Sequence, residues 1–222
     1  MCGSSKGFKD TFLGIRLLKK AGIRINLNTT FTKSNVADME QIVKFAKEEH
    51  IPIRMARYTF PPVRNHHKIT SINLTPEEAG RASAYFDALT LDQNQIVKRK
   101  EYLRKCINRG GSDENNGTSE VSSCMAGKGA FWVSWDGNMY PCGMLPDYSV
   151  NLKEISFQDA WKSIVGKASK MLLPQECSVC KYHEICPSCA AVSQSINHAT
   201  DMVPREMCIW TSTYVESFLN LS

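Results

Sequence analysis

Several features that would assign a function directly are missing from this chain of 222 residues. Its first residues lack the apolar segment of a secretion signal, and no apolar run approaches the ~20 residues that span a bilayer. The net charge of +5 is mild, and no block of lysine and arginine resembles an arm that binds nucleic acid. These absences predict a cytoplasmic protein that binds neither membrane nor nucleic acid.

Cysteine, by contrast, is abundant, with nine residues in the chain. The stretch from Cys177 to Cys208 has the spacing C-x2-C-x5-C-x2-C-x18-C, and each C-x2-C pair can chelate a metal from one turn. In a cytosolic chain such clustering favours metal binding over disulfides. Soft thiolates without an acidic run between them suit zinc or an iron–sulfur cluster, and the spacing alone leaves both open.

Helix and strand patterns alternate through the first 105 residues, which predicts parallel strands joined by crossover helices. The polar residues Arg24, Asn26 and Asn28 suit a barrel lumen better than a covered sheet face, although ordinary strand-end groups remain an alternative. Only two strands are predicted, so this half is expected to be part of a barrel with an exposed apolar edge. The predicted elements are a helix from Phe8 that ends at Gly22, a strand over 23–28, a helix capped by Asn35, a strand over 53–58, and a long helix from a capping box at Thr75 towards Cys106.

The second half begins after a run of turn-forming residues at 108–123, which predicts a linker. Alternating residues on both sides of Asp136-Gly137 predict a hairpin with a two-residue turn. Pairing across that turn brings Cys142 opposite Phe131 and close to Cys124. A helix is predicted before the cysteine-dense tail. The tryptophans are expected to be core or cluster-shielding residues: Trp132, Trp135, Trp161 and Trp210.

The full pattern, C-x12-G-x4-C, a gap and then C-x2-C-x5-C-x2-C-x18-C, resembles the seven-cysteine SPASM module at the carboxyl end of many radical SAM enzymes. Upstream, residues 14–23, 27–30 and 58–62 resemble the late part of the radical SAM barrel. The resemblance implies an α/β fold, in which the C-terminal portion of a partial (β/α) radical SAM barrel precedes a small cysteine-rich α+β SPASM domain with a β-hairpin. The implied domains are the barrel segment 1–107, the linker 108–123 and the SPASM domain 124–222.

The resemblance also implies two auxiliary [4Fe–4S] clusters. An outer set of ligands would hold one cluster and an inner set, nearer the barrel, would hold the other, with one ligand missing. Cys106, substrate, water or another side chain could fill that position. The implied residues are Cys177, Cys180, Cys186 and Cys208 for the outer set, Cys124, Cys142 and Cys189 for the inner set, and Asn26, Asn28, Thr29 and Arg57 on the S-adenosylmethionine (AdoMet) side of a complete barrel.

The function implied by the family is modification of a peptide or protein side chain, as in maturase-type enzymes. The auxiliary clusters would relay an electron or dock the substrate, with a reductant such as flavodoxin or ferredoxin. The C-x3-C-x2-C loop that holds the radical cluster is absent from these 222 residues. AdoMet and a third [4Fe–4S] cluster are therefore expected only in a complete parent enzyme, and this chain alone is not expected to cleave AdoMet. A truncated gene, a split gene with the missing N-terminal half as a separate chain, or a fragment would each explain this.

Two other functions compete with this interpretation. Cys177, Cys180, Cys186 and Cys189 could hold one tetrahedral structural zinc ion, which leaves three other cysteines unexplained. A stand-alone electron-transfer or peptide-docking protein could use the same clusters without radical chemistry. Colour separates zinc from iron, because zinc is colourless and iron–sulfur clusters are brown.

Overall fold

The computed structural model describes residues 5–61, 72–109 and 124–221. The described residues divide into two compact units, with the boundary between Arg57 and Tyr58. Among the helices in these ranges, none is both long and apolar enough to cross a bilayer. The helices are α1 (Gly7–Lys20), α2 (Met39–Glu48), α3 (Pro76–Thr90), α4 (Gln93–Arg109), α5 (Phe157–Ala168), α6 (Gln175–Ser178), α7 (Ala190–Asn197) and α8 (Arg205–Leu219), and the strands are β1 (Leu27–Thr30), β2 (Ile53–Ala56), β3 (Trp132–Val133), β4 (Asn138–Tyr140) and β5 (Val150–Asn151).

The first unit contains the predicted parallel pair of strands. Helix α1 ends as predicted at Gly22, whose φ of +70° is in the left-handed region that glycine adopts without strain. Strands β1 and β2 then pair in parallel, with Leu27 opposite Ile53. Helix α2 connects them and buries Met39 and Val43. The predicted helix–strand order and the parallel pairing are confirmed.

Three local predictions in this unit were wrong. The second strand ends at Ala56 and not at residue 58. The first strand occupies 27–30 instead of 23–28, because pairing with β2 and not local alternation decides where it begins. Asn35 does not cap the following helix with its side chain. Its Oδ1 accepts a hydrogen bond from the backbone N–H of Thr32 at 2.7 Å and so organises the preceding turn.

The second unit is built on α3, α4 and α8. The capping box at Thr75 is confirmed, since its hydroxyl accepts from Glu78 N and the Glu78 carboxylate accepts from Thr75 N. The predicted long helix is instead two helices. Asp92 and Gln95 form a second capping box, with bonds of 2.8 and 2.9 Å, which starts α4 anew. Helix α3 packs along α8, and the core between the helices includes Leu103, Tyr214 and Phe218.

A three-stranded antiparallel sheet lies within this unit, in the order β3-β4-β5. Trp132 pairs with Tyr140, so Pro141 and not Cys142 continues the register opposite Phe131. The turn therefore has three residues, 135–137, closed by a Ser134 N–H to Asn138 O bond of 2.9 Å and ending at Gly137 with a φ of +89°. The predicted two-residue turn is therefore one residue shorter than the observed one, and strand β5 was not predicted.

The expectation for the tryptophans was half right. Trp210 is buried in the α3–α8 core and Trp161 is half-buried. Trp132 and Trp135 lie on the surface, and Trp135 is 90% exposed. The cause is the turn, because the three-residue loop carries Trp135 outward instead of leaving it on a strand face.

The fold is a mixed α/β structure that combines part of a β/α barrel with a small cysteine-rich region containing the hairpin. Most of the predicted linker lies outside the described residues. Helices α3 and α4, which the sequence assigns to the barrel segment, belong to the same compact unit as the cysteine-rich region. The domain limits at 107 and 124 stay a prediction.

Candidate functional site

The inner set of cysteines, Cys124, Cys142 and Cys189, lines one cavity of about 430 Å³. Cys124 lies in the loop before β3, Cys142 lies two residues after the end of β4, and Cys189 is the N-cap residue of α7. The hairpin thus brings together two cysteines that are distant in sequence, and α7 presents the third. The predicted convergence of Cys124 and Cys142 is confirmed.

The rest of this cavity is mainly apolar. Leu145, Met171 and Ala190 are buried in its wall, and Lys128 is its charged residue. Within the described lining, no histidine, aspartate, glutamate or fourth cysteine joins the three thiols. The described lining therefore supplies three thiols in a largely apolar pocket.

The outer set lines a second cavity, of about 360 Å³. Cys177, Cys180 and Cys186 come from α6 and the loop after it, while Cys208 is contributed by the first turn of α8. Met207 and Leu173 are buried beside them. The four thiols of the outer set, which the family resemblance implies, thus lie around one cavity.

The thiols of each set lie close enough to influence one another. Burial raises the pKa of Cys177 to about 11, and the other three thiols of the outer set add to this rise. Burial likewise raises the pKa of Cys189, and the nearby Cys142 and Cys124 contribute in the same direction. A positively charged metal centre would relieve both effects, because it stabilises the thiolate form.

Backbone N–H groups point at several of these sulfur atoms. The N–H groups of Ala126, Met144 and Tyr182 each donate to the cysteine two residues earlier, at 3.4–3.5 Å. Near Cys189, the first N–H groups of α7 oppose the effect of burial on its pKa. Such donors favour sulfur in the thiolate form, which is the form that binds metal.

A polar cluster borders the outer cavity. Glu184 accepts a hydrogen bond from the Cys106 thiol at 3.2 Å and is 3.5 Å from Arg109 Nη1. Both contacts lower the pKa of Glu184, the Cys106 bond most. The structure therefore places Cys106 beside the outer cavity, whereas the family resemblance made it one of several alternatives for the missing ligand of the inner set. His183 lines the same cavity, and its Nδ1 is 2.9 Å from the Cys177 carbonyl oxygen.

The residues predicted to face AdoMet all lie in the first unit. Thr29 is the third of the four residues of β1 and Arg57 directly follows β2, so both are near the carboxyl end of the parallel pair. Asn26 precedes β1 and lies towards the opposite end, and Asn28 is an exposed residue of the strand. The structure thus groups Thr29 and Arg57 but not Asn26, and an AdoMet role stays a prediction.

Sequence reasoning missed several residues of the outer cavity, namely Tyr102, Tyr182, Glu184 and Ser188. Ser188 had a signal, because it lies between two predicted ligands in the sequence Cys-Pro-Ser-Cys. Tyr102 had none, since only the packing of α4 brings it to the cavity.

Comparison with known proteins identifies an iron–sulfur cluster-binding domain in this part of the chain. Residues 124–190 match the family model for SPASM, an iron–sulfur cluster-binding domain. A protein of Methanosarcina barkeri named AdoMet-dependent heme synthase is 25% identical over 203 residues, which is 85% of this chain and 57% of that protein. A protein of Oleidesulfovibrio alaskensis with the same name is 24% identical, over 85% of this chain and 52% of that protein.

Two solved structures share the fold. Native anSMEcpe with bound AdoMet superposes with a TM-score of 0.65 at 16% identity, over 97% of this chain and 60% of that chain. Native anSMEcpe with bound AdoMet and the Cp18Cys peptide gives a TM-score of 0.64 at 16% identity, over 97% of this chain and 61% of that chain. The chain spans between about half and three fifths of the length of these proteins. In sequence motif and in fold, it matches the C-terminal part of a radical SAM enzyme that carries a SPASM domain.

Proposed function

We propose that this chain is the auxiliary-cluster part of an AdoMet-dependent radical enzyme and that it binds two [4Fe–4S] clusters. The outer set holds one cluster through four thiolates, and the inner set holds the other through three. The observation that carries this proposal is the division of seven cysteines between two cavities, each lined by one complete set. When bound, such clusters accept and release single electrons.

The residues of each cavity fit this role. The outer cavity supplies a full complement of thiolates, with Leu173 and Met207 limiting the access of water. The inner cavity supplies three thiolates, and its described wall offers no further carboxylate, imidazole or thiol. Three thiolates bind three of the four iron atoms of a [4Fe–4S] cluster, which leaves the fourth iron for substrate, water or another side chain.

The zinc alternative fits less well. It requires Cys189 to join Cys177, Cys180 and Cys186, yet Cys189 lines the other cavity. Within the described ranges, no group of three histidine, cysteine, aspartate or glutamate side chains is arranged to hold a single metal ion.

Single-cysteine variants test the assignment. In anaerobically reconstituted protein, Cys189→Ala and Cys208→Ala should each lose about half of the iron and sulfide, because each removes a ligand of a different [4Fe–4S] centre. Electron paramagnetic resonance of the reduced proteins should show that the surviving signals differ.

Cys106→Ala is the matched control, since Cys106 belongs to neither set and should leave the iron content unchanged. Loss of the same signal in Cys189→Ala and Cys208→Ala would refute the division into two sets. Purification with a single zinc ion and no iron would refute the proposal as a whole.

Haem synthesis is the reaction that sequence similarity favours, because the relatives that align with 85% of this chain are named AdoMet-dependent heme synthase. Peptide or protein side-chain modification is the second candidate, supported by the peptide in a solved structure of the same fold. Titration of the cluster-loaded chain with haem, the product of the first reaction, and with a cysteine-containing peptide separates the two candidates. A perturbation of the inner-cluster signal by only one of the two ligands would identify the class.

A further inference from the structure

Ser188 has an unusual position between the two centres. It lies between Cys186 of the outer set and Cys189 of the inner set, and it lines the outer cavity. The side chain is buried, with 7% of its surface exposed. Among the residues that the structure describes, its hydroxyl oxygen has no hydrogen-bond partner. Buried hydroxyl groups in folded proteins rarely lack a partner, so the Ser188 hydroxyl indicates that the cavity binds a group able to hydrogen-bond with it.

Other polar groups near the cavity already have partners. The Thr211 hydroxyl donates to the Met207 carbonyl oxygen at 2.7 Å, and the Tyr102 hydroxyl donates to the Glu184 carbonyl oxygen at 3.3 Å. Burial raises the pKa of Cys186, and the Thr211 side chain opposes that effect most, followed by the backbone N–H of Ser188, which bonds to the Cys186 sulfur. The Ser188 backbone is therefore within reach of a ligand sulfur, and its hydroxyl is a second donor on the same residue.

We propose that the Ser188 hydroxyl donates a hydrogen bond to a sulfur atom of the cluster held by the outer set, and thereby raises the reduction potential of that cluster. The inference rests on the proposed function, which places a cluster in this cavity. Reduction adds one negative charge to the cluster. A donor directed at its sulfur atoms therefore stabilises the reduced form more than the oxidised form. Ser188 thus changes the reduction potential of the cluster and does not itself make or break a bond of the substrate.

A redox titration of the full chain, loaded anaerobically with iron and sulfide, tests this role. Electron paramagnetic resonance follows both clusters, and the outer one is identified as the signal that Cys208→Ala removes. In Ser188→Ala the outer cluster should be harder to reduce, with about tenfold less of it reduced at a fixed potential, or about 59 mV for a one-electron couple. The inner transition should not move.

A second pair of variants isolates the hydroxyl from effects on folding. Ser188→Thr keeps the donor and Ser188→Val removes it at nearly equal volume, so only the valine variant should shift the outer transition. Ser195→Ala is the control for a lost buried hydroxyl in the same unit. Its hydroxyl donates to the Pro61 carbonyl oxygen at 3.2 Å, outside either cavity, and its removal should shift neither transition.

Different outcomes overturn the role of Ser188 and the proposed function. Equal outer-cluster potentials in Ser188→Thr and Ser188→Val would overturn the role of Ser188 and leave the proposed function intact. An unmodified chain with no signal assignable to the outer set would overturn the proposed function itself.

Discussion

At the scale of single residues, Gly127 determines the geometry of the inner cavity. Its φ of +67° is in the left-handed region, and its N–H donates to the Ala130 carbonyl oxygen at 2.9 Å. A Cβ atom at this position would lie 2.3 Å from Ala168 Cβ. Glycine therefore permits both the turn between Cys124 and β3 and the close approach of that turn to α5.

Gly127→Ala should lower the free energy of unfolding by about 2–4 kcal/mol, because left-handed backbone strain and overpacking against Ala168 add together. It should also reduce the occupancy of the inner set more than that of the outer set. Urea unfolding followed by circular dichroism measures the first effect, and iron content measures the second.

Gly166→Ala provides the comparison for this variant. Gly166 lies within α5, where a Cβ would meet no atom within 4 Å. Alanine there should stabilise the protein by about 0.5–1 kcal/mol, since glycine is unfavourable in a helix. Equal stability changes in Gly127→Ala and Gly166→Ala would contradict the packing described for the inner cavity.

At the scale of elements, the contact between α3 and α8 links the helical core to the outer cavity. Gly80 of α3 allows this contact, because a Cβ there would be 2.7 Å from the Trp210 carbonyl oxygen and 2.9 Å from Thr213 Cβ. Cys208 lies two residues before Trp210 on the same helix. The position of α8 against α3 therefore sets the position of one outer ligand.

Gly80→Ala should displace α8 and destabilise the protein by about 1–2 kcal/mol, because the cost of overpacking exceeds the gain in helix propensity. Gly14→Ala on α1 is the control, since a Cβ at Gly14 meets open space and should be neutral or stabilising. Chemical denaturation measures both variants. A stabilised Gly80→Ala protein would show that α3 and α8 are not in close contact there.

The sequence predicts elements best where the deciding interaction is local. Thr75 and Gly22 were predicted correctly because capping and termination depend on neighbouring residues. The break at Asp92 is also local, and a second capping box there was the overlooked signal. The start of β1 at Leu27 was not predictable in this way, since it depends on pairing with a strand more than twenty residues later.

In the candidate site, too, the sequence predicts best what local interactions decide. Cysteine spacing and one hairpin were sufficient to group Cys124 with Cys142, even though the predicted register was wrong by one residue. Tertiary packing, which spacing does not encode, places Cys106 beside Glu184. Ser188 shows a further limit, because a serine between two ligands is visible in the sequence but its unpaired, buried hydroxyl is visible only in the fold.

At the scale of the whole molecule, the proposed clusters use seven of the nine cysteines and leave Cys2 and Cys106. These two are more than a hundred residues apart in sequence and cannot form the three-thiolate loop that presents an open iron to AdoMet. The cluster-loaded chain of 222 residues should therefore contain roughly eight iron and eight sulfide atoms, as two [4Fe–4S] centres require. Yet it should consume no AdoMet when reduced with dithionite.

Chromatographic measurement of AdoMet over time checks this prediction, with the AdoMet-dependent heme synthase of Methanosarcina barkeri as the positive control in the same assay. The variants Cys189→Ala and Cys208→Ala are measured alongside, because any AdoMet consumption caused by loosely bound iron would persist in both. AdoMet consumption by the unmodified chain that disappears in one of these variants would mean that one of the two centres itself binds AdoMet. The assignment of both centres as auxiliary would then be wrong, since an auxiliary cluster exchanges electrons or contacts substrate without cleaving the cofactor.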